Sequence, residues 1–546
     1  MGYIQIPLYE LVSRLPTPHP KNGMDAFIGI GAVHLMILAH LTPHTGGWRL
    51  FRMGIVTPLC LAAFGYIVVA QIEKDDLTHW GTCVLMCIYS MRVLEYFVFF
   101  PAEENCHRVV PRSQVHPRGT SSSLKIPLSN GHSHSASGGT PTKHTIEKVD
   151  EEEVLIAEPV PAPFTWKKLY WSWSLLWSYR GIGWNYQCPL PSESTRHPYS
   201  RKSSRLAWGY ATIRYYAIGY IIDDFFRSIR NIYGKEFFAG NIPYTNLTQF
   251  ERGLYSTAVV IRVWFGLIHS WTITAVIFVT IGGVLGWNDE IFAPWGWPPM
   301  FGSLGQLWKH PGLSTMWSKT WHGYNRRWLY VLGWIGIGEN ILGLTHTGIS
   351  SHPNLYPSDK ITNSSNASGQ ISPTHPISTS SFSSSSSSSS TSPNLPTRRM
   401  STRLMIENLI KSFLTFLLSG FNHDVGSFAL ILKNNRPQLG QTTYLTDIFR
   451  LTPFFVVQPI GLAVEAFFKT NYRKTKTRFR VFKGKEPNWS VFVERLIGFI
   501  WTWTWLGWTA RFFVEGMVQL GSYRRDGDRE LYWSLFGGLI WGKWYI

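Results

Sequence analysis

Apolar runs of about 20 residues recur along this chain and constrain its fold more than any other feature. A run of that length can cross a bilayer as a helix, because a helix satisfies its own backbone hydrogen bonds in hydrocarbon. The runs predict an all-α, polytopic membrane protein with about eight to ten transmembrane helices. The candidate spans are 24–41, 52–71, 83–100, 207–226, 257–286, 328–346, 405–432, 451–468, 491–513 and 531–545.

Two polar segments divide these helices into blocks. Residues 101–164 mix His, Ser, Gly and Pro with an acidic patch, and residues 347–402 form a Ser/Thr/Pro tract. Both compositions bury too little apolar surface to offset the entropy of ordering, so both segments are predicted to be disordered loops. The chain is therefore predicted to have N-terminal helices over 1–100 and a core in two parts, 165–346 and 403–546.

The net charge of +18 is concentrated between the apolar runs, for instance in Lys469–Lys485. Contact with anionic headgroups explains this pattern, so membrane lipids are expected partners and nucleic acid is not. The N-terminus has no basic stretch followed by an apolar one, so no cleaved signal peptide is expected. The five cysteines form neither a disulfide framework nor a zinc pattern, and no metal site is expected.

The apolar run Ser412–Leu432 carries His423 at its centre, with Asn422 and Asp424 beside it. Polar side chains at that depth should face protein or a water-filled cavity, and their default interpretation is a functional site. We predict that His423 is a general base, because the imidazole pKa lies near working pH. Asn422 and Asp424 are predicted to support it, although adjacent residues on a helix do not face each other.

A second polar cluster, Met316–Arg327, directly precedes the candidate span 328–346 and contains His322. Its Lys and Arg side chains suit a phosphorylated ligand such as coenzyme A. Taken alone, the cluster is equally well explained as a juxtamembrane anchor of Trp and basic residues. Together with His423, it predicts that acyl-CoA binds at the mouth of a cavity with the base deeper inside. The residues expected to bind acyl-CoA are Trp317, Lys319, Trp321, Arg326 and Arg327.

These two clusters predict a chemistry. A base at His423 would take the proton of an alcohol, whose oxygen would then attack a thioester carbonyl. Asn422 and His322 are both candidates for stabilising the resulting oxyanion, and the sequence does not choose between them. No bound cofactor is expected, because acetyl-CoA or acyl-CoA would be a co-substrate and a lipophilic alcohol the acceptor.

The two clusters also resemble motifs of a known family. Met316–His322 resembles the wax-synthase motif F-W-G-R-R-W-[HN], and Leu417–Val425 resembles its later motif F-L-x-S-G-x-x-H-E-L. These motifs are typical of the fungal wax-synthase-like branch of the membrane-bound O-acyltransferases. Their order agrees with the family across about 165–545, apart from the Ser-rich insertion. Supporting matches are Arg180–Asn185, Trp297–Ser303 and Phe455–Glu465.

The resemblance implies a helical fold like that of membrane-bound O-acyltransferases, located in the endoplasmic reticulum. It implies that His423 is catalytic and that the motif ending at His322 serves acyl-CoA binding and catalysis. The chain departs from the family at Ser318-Lys319-Thr320, where the family has Gly-Arg-Arg, and this loses one charge and the bidentate fork of Arg. The family's His-Glu is also His423-Asp424 here, so the identity of the donor is open.

Several functional alternatives remain. The resemblance favours acetyl transfer to a terpenoid secondary metabolite, and the alternative is a wax ester synthase using a fatty alcohol and long-chain acyl-CoA. A transporter with His423 in a polar pathway is the non-enzymatic alternative, although the internal repeats of many transporters are not visible. A desaturase would need closely spaced histidines and a prenyltransferase would need clustered aspartates, and the sequence has neither pattern.

Other polar residues in the apolar runs are expected to be structural. Arg92 and Glu95, three residues apart, are expected to pair on one helix. The sequons at Asn363 and Asn366 suit a glycosylated lumenal loop, whereas the basic segment 469–485 contradicts a simple alternation of spans. Sidedness and oligomeric state are therefore left open. Structural roles are also expected for Asp223, Asp224, Arg262, His269, Glu339, Asn340 and Glu465.

Overall fold

The computed structural model places helices at every candidate span, and they make up most of the fold. The sequons at Asn363 and Asn366 and most of the two predicted loops lie outside the residues that it describes. The described residues are 24–70, 78–111, 155–190, 197–346, 402–434, 449–478, 487–520, 523 and 533–545.

The N-terminal block is built from three long helices and one that packs across them. α1 is Met24–Leu41, α2 is Gly46–Ala70, and α3 joins Thr78–Val93 to a π-helical stretch, Leu94–Phe99. α4, Trp166–Trp177, begins at an N-cap formed by Thr165 and packs against α1. Their shared core includes fully buried Met36, Phe64, Tyr96 and Trp171.

The ends of segment 101–164 are structured, whereas the sequence predicts that the whole segment is disordered. A short helix at Ala102–Asn105 leads into β1, Val109–Pro111, which pairs antiparallel with β2, Leu155–Ala157. Arg108 explains part of this order, because its guanidinium binds the buried Glu290 carboxylate at 2.8 Å. The polar composition of the segment does not indicate this ion pair, because its partners are 182 positions apart in the sequence.

An antiparallel helix pair forms the first part of the core. α5 is Arg205–Ile232 and α6 is Gln249–Leu285. α6 begins with a capping box between Thr248 and Glu251, which satisfies free backbone donors in its first turn. Short helices cover the connections around this pair, at Lys235–Phe238, Tyr244–Asn246, Pro294–Gly296 and Leu304–Lys309.

Three further helices carry the residues of both sequence motifs. α7 is Leu313–Thr315 followed by the π-helical Met316–Thr320, and α8 is Arg326–Trp328 followed by the π-helical Leu329–Ile341. α9, Thr402–Asn434, packs against α3 and α8. Glycines permit this close approach, since a Cβ at Gly426 would lie 2.7 Å from the Trp80 ring.

The C-terminal helices close the core, and one of them is too short for the predicted span. α10 is Thr452–Val456, α11 is Gln458–Arg478 and α12 is Asn488–Gln519. α13, Leu535–Trp541, has 7 residues, or roughly 10 Å against about 30 Å of hydrocarbon. The chain then folds back so that Trp533 and Tyr545 pair. The prediction of a span at 531–545 is therefore wrong.

Length and composition qualify four helices of the described chain as membrane spans. A shorter apolar helix, Ala26–Leu41, lies beside them. The other helices are more polar or more interrupted, so the predicted total of eight to ten spans stays a prediction. The four candidates are Gly46–Ala70, Trp80–Phe99, Gln249–Leu285 and Thr402–Ser427.

Candidate functional site

A large chamber lies between the two parts of the core. Its volume is about 2520 Å³, and α3, α5, α6, α7, α8, α9 and α12 contribute to its wall. His322 and His423 both line it, although they are 101 positions apart in the sequence. The fold therefore brings the two predicted catalytic histidines to one cavity.

His423 reaches the chamber from one face of α9. Ser412, Phe416 and Ser419 line the chamber from the same helix, at the spacing of three and four residues that places side chains on one face. The His423 ring lies between aromatic rings of Phe455 and Trp80, at centroid distances of 4.5 and 5.8 Å. This packing fixes the plane of the imidazole.

The hydrogen bonding of His423 leaves one ring nitrogen available for chemistry. Nδ1 lies 2.7 Å from the carbonyl oxygen of Ser419, one turn earlier on α9. A carbonyl only accepts, so this contact assigns the proton to Nδ1 and leaves Nε2 with a free lone pair. Nε2 is thus the basic atom.

The two polar neighbours of His423 do not line the chamber. Asp424 points to α10, where its carboxylate accepts hydrogen bonds from the backbone N–H groups of Leu451 and Thr452 at 2.8 and 3.0 Å. Asn422 is fully buried, and neither its Oδ1 nor its Nδ2 has a hydrogen-bond partner. Asn422 is therefore not placed to stabilise an oxyanion in the chamber. Asp424 supports the site indirectly. It holds the start of α10, and Phe455 of α10 packs against the His423 ring.

His322 follows the π-helical end of α7 and packs among aromatic rings. The ring centroids of Trp321 and Phe301 lie 5.5 and 5.9 Å from that of His322. Burial lowers the pKa of His322 to about 3, with smaller contributions from His423 and Arg180. Its Nδ1 is buried and has no hydrogen-bond partner. His322 is therefore a neutral imidazole at working pH, with a polar atom left unsatisfied.

Glu465 holds the segment that leads to His322, which agrees with the structural role expected for it from the sequence. Its carboxylate accepts hydrogen bonds from the Leu313 N–H and, at 2.9 Å, from the Ser314 hydroxyl. Lys469 pairs with the same carboxylate at 2.8 Å. The sequence signal for this role is a Glu within an apolar run.

The turn that enters α7 requires a glycine. Gly312 has a φ of 145°, a backbone conformation that residues with a side chain rarely adopt. A Cβ at this position would lie 2.5 Å from a carboxylate oxygen of Glu465 and 2.6 Å from Nζ of Lys469. A side chain at residue 312 would therefore push this ion pair away from the start of α7.

The structure separates the five predicted acyl-CoA-binding residues into two groups. Trp317, Trp321 and Arg326 line the chamber. Lys319 is exposed and does not line it. Arg327 also lies off the chamber wall, and it binds the Glu95 carboxylate at 2.6 Å.

The Arg327 contact corrects a second prediction. Arg92 does not pair with Glu95, because its guanidinium donates to the carbonyls of Leu175 and Leu176 at 2.9 and 2.7 Å. Glu95 is thus free to bind Arg327, which also stacks over the ring of Tyr186 at 4.1 Å. Arg327 therefore joins α8 to the N-terminal block and is not positioned to contact a ligand in the chamber.

Within the described chain, no group of three or more His, Cys, Asp or Glu side chains could hold a metal ion. All five cysteines are free and buried. Three of them, Cys60, Cys83 and Cys87, lie within the N-terminal helices, and none lines the chamber. The chamber wall presents two imidazoles, hydroxyls, aromatic rings, guanidinium groups and the carboxylate of Glu515.

Comparison with known proteins gives one distant similarity to a protein of named activity. The chain is 23% identical over 384 residues to a curated protein of Arthrobotrys oligospora that is named an acetyltransferase. The match covers 66% of this chain and 62% of the relative, which is less than two thirds of the relative's length. No family model and no solved structure matches the chain. The wax-synthase-like family thus stays a prediction.

Proposed function

We propose that this protein is a membrane O-acyltransferase that moves an acyl group, chiefly acetyl, from acyl-CoA to a hydroxyl of a lipophilic acceptor. The observation that carries this proposal is the shared chamber, in which a half-buried His423 with a free Nε2 and a neutral His322 meet. The distant relative named an acetyltransferase supports the same kind of reaction. Terpenoid alcohols of secondary metabolism are the proposed acceptors, on the strength of the family resemblance alone.

His423 would act as the general base. Nε2 takes the proton as the acceptor oxygen bonds to the thioester carbonyl carbon, which gives a tetrahedral oxyanion. The C–S bond then breaks, the ester is released, and the coenzyme A thiolate takes the proton back from the imidazolium. The Ser419 carbonyl favours this cycle, because it stabilises the Nδ1–H that persists while Nε2 is protonated.

His322 is the better of the two candidates for the oxyanion. A neutral imidazole carries one N–H donor, and the lowered pKa means that this donor is present without a charge that would bind the anionic product. Asn422 is excluded from this role by its position off the chamber wall. Nδ1 is fully buried and Nε2 is the ring nitrogen that keeps accessible surface, so the Nε2–H tautomer would present this donor to the chamber.

Arg326 is the member of the donor cluster best placed for acyl-CoA. It lines the chamber, is exposed, and hydrogen-bonds only weakly to the Ser318 carbonyl at 3.3 Å. Trp317 and Trp321 line the same side of the chamber and offer apolar surface to the pantetheine arm or a short acyl group. Arg326 would therefore carry the role that the family gives to its Gly-Arg-Arg, whereas Lys319 would contribute little.

The test is thioester consumption by the purified protein in lipid nanodiscs. Release of free coenzyme A thiol is followed with acetyl-CoA or palmitoyl-CoA, each with a terpenoid alcohol or a fatty alcohol. We expect thiol release that depends on the alcohol and is faster with acetyl-CoA. Faster release with palmitoyl-CoA and a fatty alcohol would identify a wax ester synthase, and no release from either donor would favour a transporter.

A matched histidine variant controls this assay. His269 lies on α6, bonds to the Tyr216 hydroxyl at 2.8 Å and does not line the chamber. We expect His269→Ala to retain thiol release within about twofold, because its loss leaves the chamber wall unchanged. Equal losses in His269→Ala and His423→Ala would contradict a specific role for His423.

A further inference from the structure

The charged side chains on the chamber wall are unbalanced. Four arginines line it, and the only carboxylate among its described lining residues is that of Glu515. An otherwise apolar cavity with a net positive wall favours a ligand that carries negative charge, because clefts lined by one sign of charge concentrate the opposite sign. The four arginines are Arg214, Arg252, Arg326 and Arg511.

Two of these arginines already have hydrogen-bond acceptors from the protein. Arg252 donates to the carbonyls of Tyr244 and Thr245, the first at 3.2 Å. Arg326 donates to the carbonyl of Ser318 at 3.3 Å and belongs to the proposed donor site. Backbone hydrogen bonds therefore explain the position of Arg252, and the proposed acyl-CoA site explains that of Arg326.

Arg511 on α12 differs from them. Its guanidinium stacks over the rings of Trp508 and Phe512, at 5.1 and 4.7 Å from the centroids. Its Nε is fully buried, whereas its two terminal nitrogens keep accessible surface, and no hydrogen bond or ion pair joins the guanidinium to any described residue. Glu515, one turn further along α12, accepts instead from Gln519 at 3.2 Å. Arg511 is thus an oriented cation whose terminal N–H groups lack an acceptor among the described residues.

Arg511 and His423 line the same chamber. Phe513, which also lines it from α12, is in ring contact with His423 at a centroid distance of 6.3 Å. A molecule that presents its hydroxyl to His423 and extends along the α12 wall would therefore reach Arg511.

We propose that Arg511 binds a carboxylate on the acceptor, so that the acceptor is a lipophilic hydroxy acid. The aromatic rings hold the guanidinium flat, and its two terminal nitrogens can bind a carboxylate end-on through two hydrogen bonds. This inference rests on the proposed function, since it names the acceptor of that reaction. It concerns binding, however, and can be tested without turnover.

The test compares an acid with its neutral ester as ligands. Equilibrium dialysis measures the Kd of tritiated lithocholate and of methyl lithocholate, a hydroxy steroid acid and its ester, with the protein in phosphatidylcholine nanodiscs. We expect the wild-type protein to bind the acid about tenfold or more tightly than the ester, as a charge-assisted hydrogen bond provides. Arg511→Gln should bind both equally, at the affinity of the wild-type protein for the ester, and Arg511→Lys should keep part of the preference.

Arg214 provides the matched control, because it is a second arginine of the chamber wall and lies on another helix, α5. We expect Arg214→Gln to retain the preference for the acid within about twofold. The ester affinity, which should not change in Arg511→Gln, reports that this variant is folded.

Four results with phosphatidylcholine nanodiscs would overturn the proposal. They are an unchanged acid preference in Arg511→Gln, an equal loss of preference in Arg214→Gln, equal binding of both probes by the wild type, and binding of neither. A preference that disappears when phosphatidylglycerol is added to the nanodiscs would assign Arg511 to a phospholipid headgroup and would also overturn it. Each result is independent of thiol release, so failure here is distinguishable from failure of the acyl-transfer proposal.

Discussion

The N-terminal block pairs its buried charges with one another, whereas the chamber wall presents basic groups to open space. In the block, the buried Glu103 carboxylate binds Arg52 at 2.9 Å and Lys168 at 3.1 Å. In the chamber, Nε2 of His423 and the terminal nitrogens of Arg511 have no hydrogen-bond partner among the described residues. Charges that are paired within the protein hold helices together, whereas basic groups that face a cavity without a partner are available to a ligand.

The sharpest test of this contrast removes the shared carboxylate of the N-terminal block. Glu103→Gln leaves Arg52 and Lys168 buried without a counter-charge, which costs about 3–5 kcal/mol. We expect a large drop in the thermal midpoint of the purified protein, measured by scanning fluorimetry in detergent. His423→Ala should leave the midpoint nearly unchanged, and an equally large drop in that variant would break the contrast.

A smaller effect is expected from Glu465, which connects α11 to α7. Glu465→Gln keeps the size of the side chain but weakens its hold on Leu313, Ser314 and Lys469, at about 1–3 kcal/mol for hydrogen bonds to a charged group. Because α7 leads to His322, we expect kcat to fall about tenfold while the KM for acyl-CoA changes less. Glu465→Asp should restore part of kcat. A loss of thermal stability with normal kcat would assign Glu465 to the scaffold alone.

The pH dependence of stability tests the buried state of His322. Its folded pKa of about 3 lies below the ordinary 6.5, so the unfolded chain binds a proton first as the pH falls. The wild type should therefore lose stability relative to His322→Gln below about pH 6.5, by about 1.4 kcal/mol per pH unit down to the folded pKa. Thermal midpoints of both proteins at pH 7, 6 and 5 check this, and parallel curves would contradict it.

The smallest effect distinguishes the two cations of the donor cluster, of which only Arg326 lines the chamber. Lys319→Ala should change the KM for acyl-CoA by less than about twofold, because Lys319 lies off the chamber wall. Arg326→Ala should raise the same KM several-fold. Steady-state kinetics on both variants measure this difference. A larger effect on KM at Lys319 than at Arg326 would contradict it and would place acyl-CoA binding at the position of the wax-synthase motif.

The sequence predicted helices where length and hydropathy alone determine structure. The candidate spans other than 531–545 coincide with helix, because an apolar run must satisfy its backbone internally. It also predicted that His322 and His423 act together, from their motifs. It failed at contacts set by distant packing: Arg327 binds Glu95 across 232 positions, and this pairing displaces the expected bond between Arg92 and Glu95.

Helix geometry explains the remaining differences at the site. Adjacent residues on α9 point about 100° apart, so His423 faces the chamber while Asn422 and Asp424 face protein. Lys319 lies in the π-helical stretch of α7, whose register a regular period does not anticipate. Arg327 lies in the α-helical first turn of α8 and is turned toward Glu95 of the N-terminal block. Arg511 belongs to no sequence motif. Only the structure shows that it lines the chamber without a hydrogen-bond acceptor among the described residues.

His423→Ala tests the role of the base when its turnover is compared with its binding of acetyl-CoA. We expect kcat for acetyl transfer to fall by about 10²–10⁴, the usual contribution of a general base, while the Kd for acetyl-CoA stays within about twofold of the wild-type value. A variant that binds acetyl-CoA and still turns over at the wild-type rate would contradict the assignment of His423 as the base.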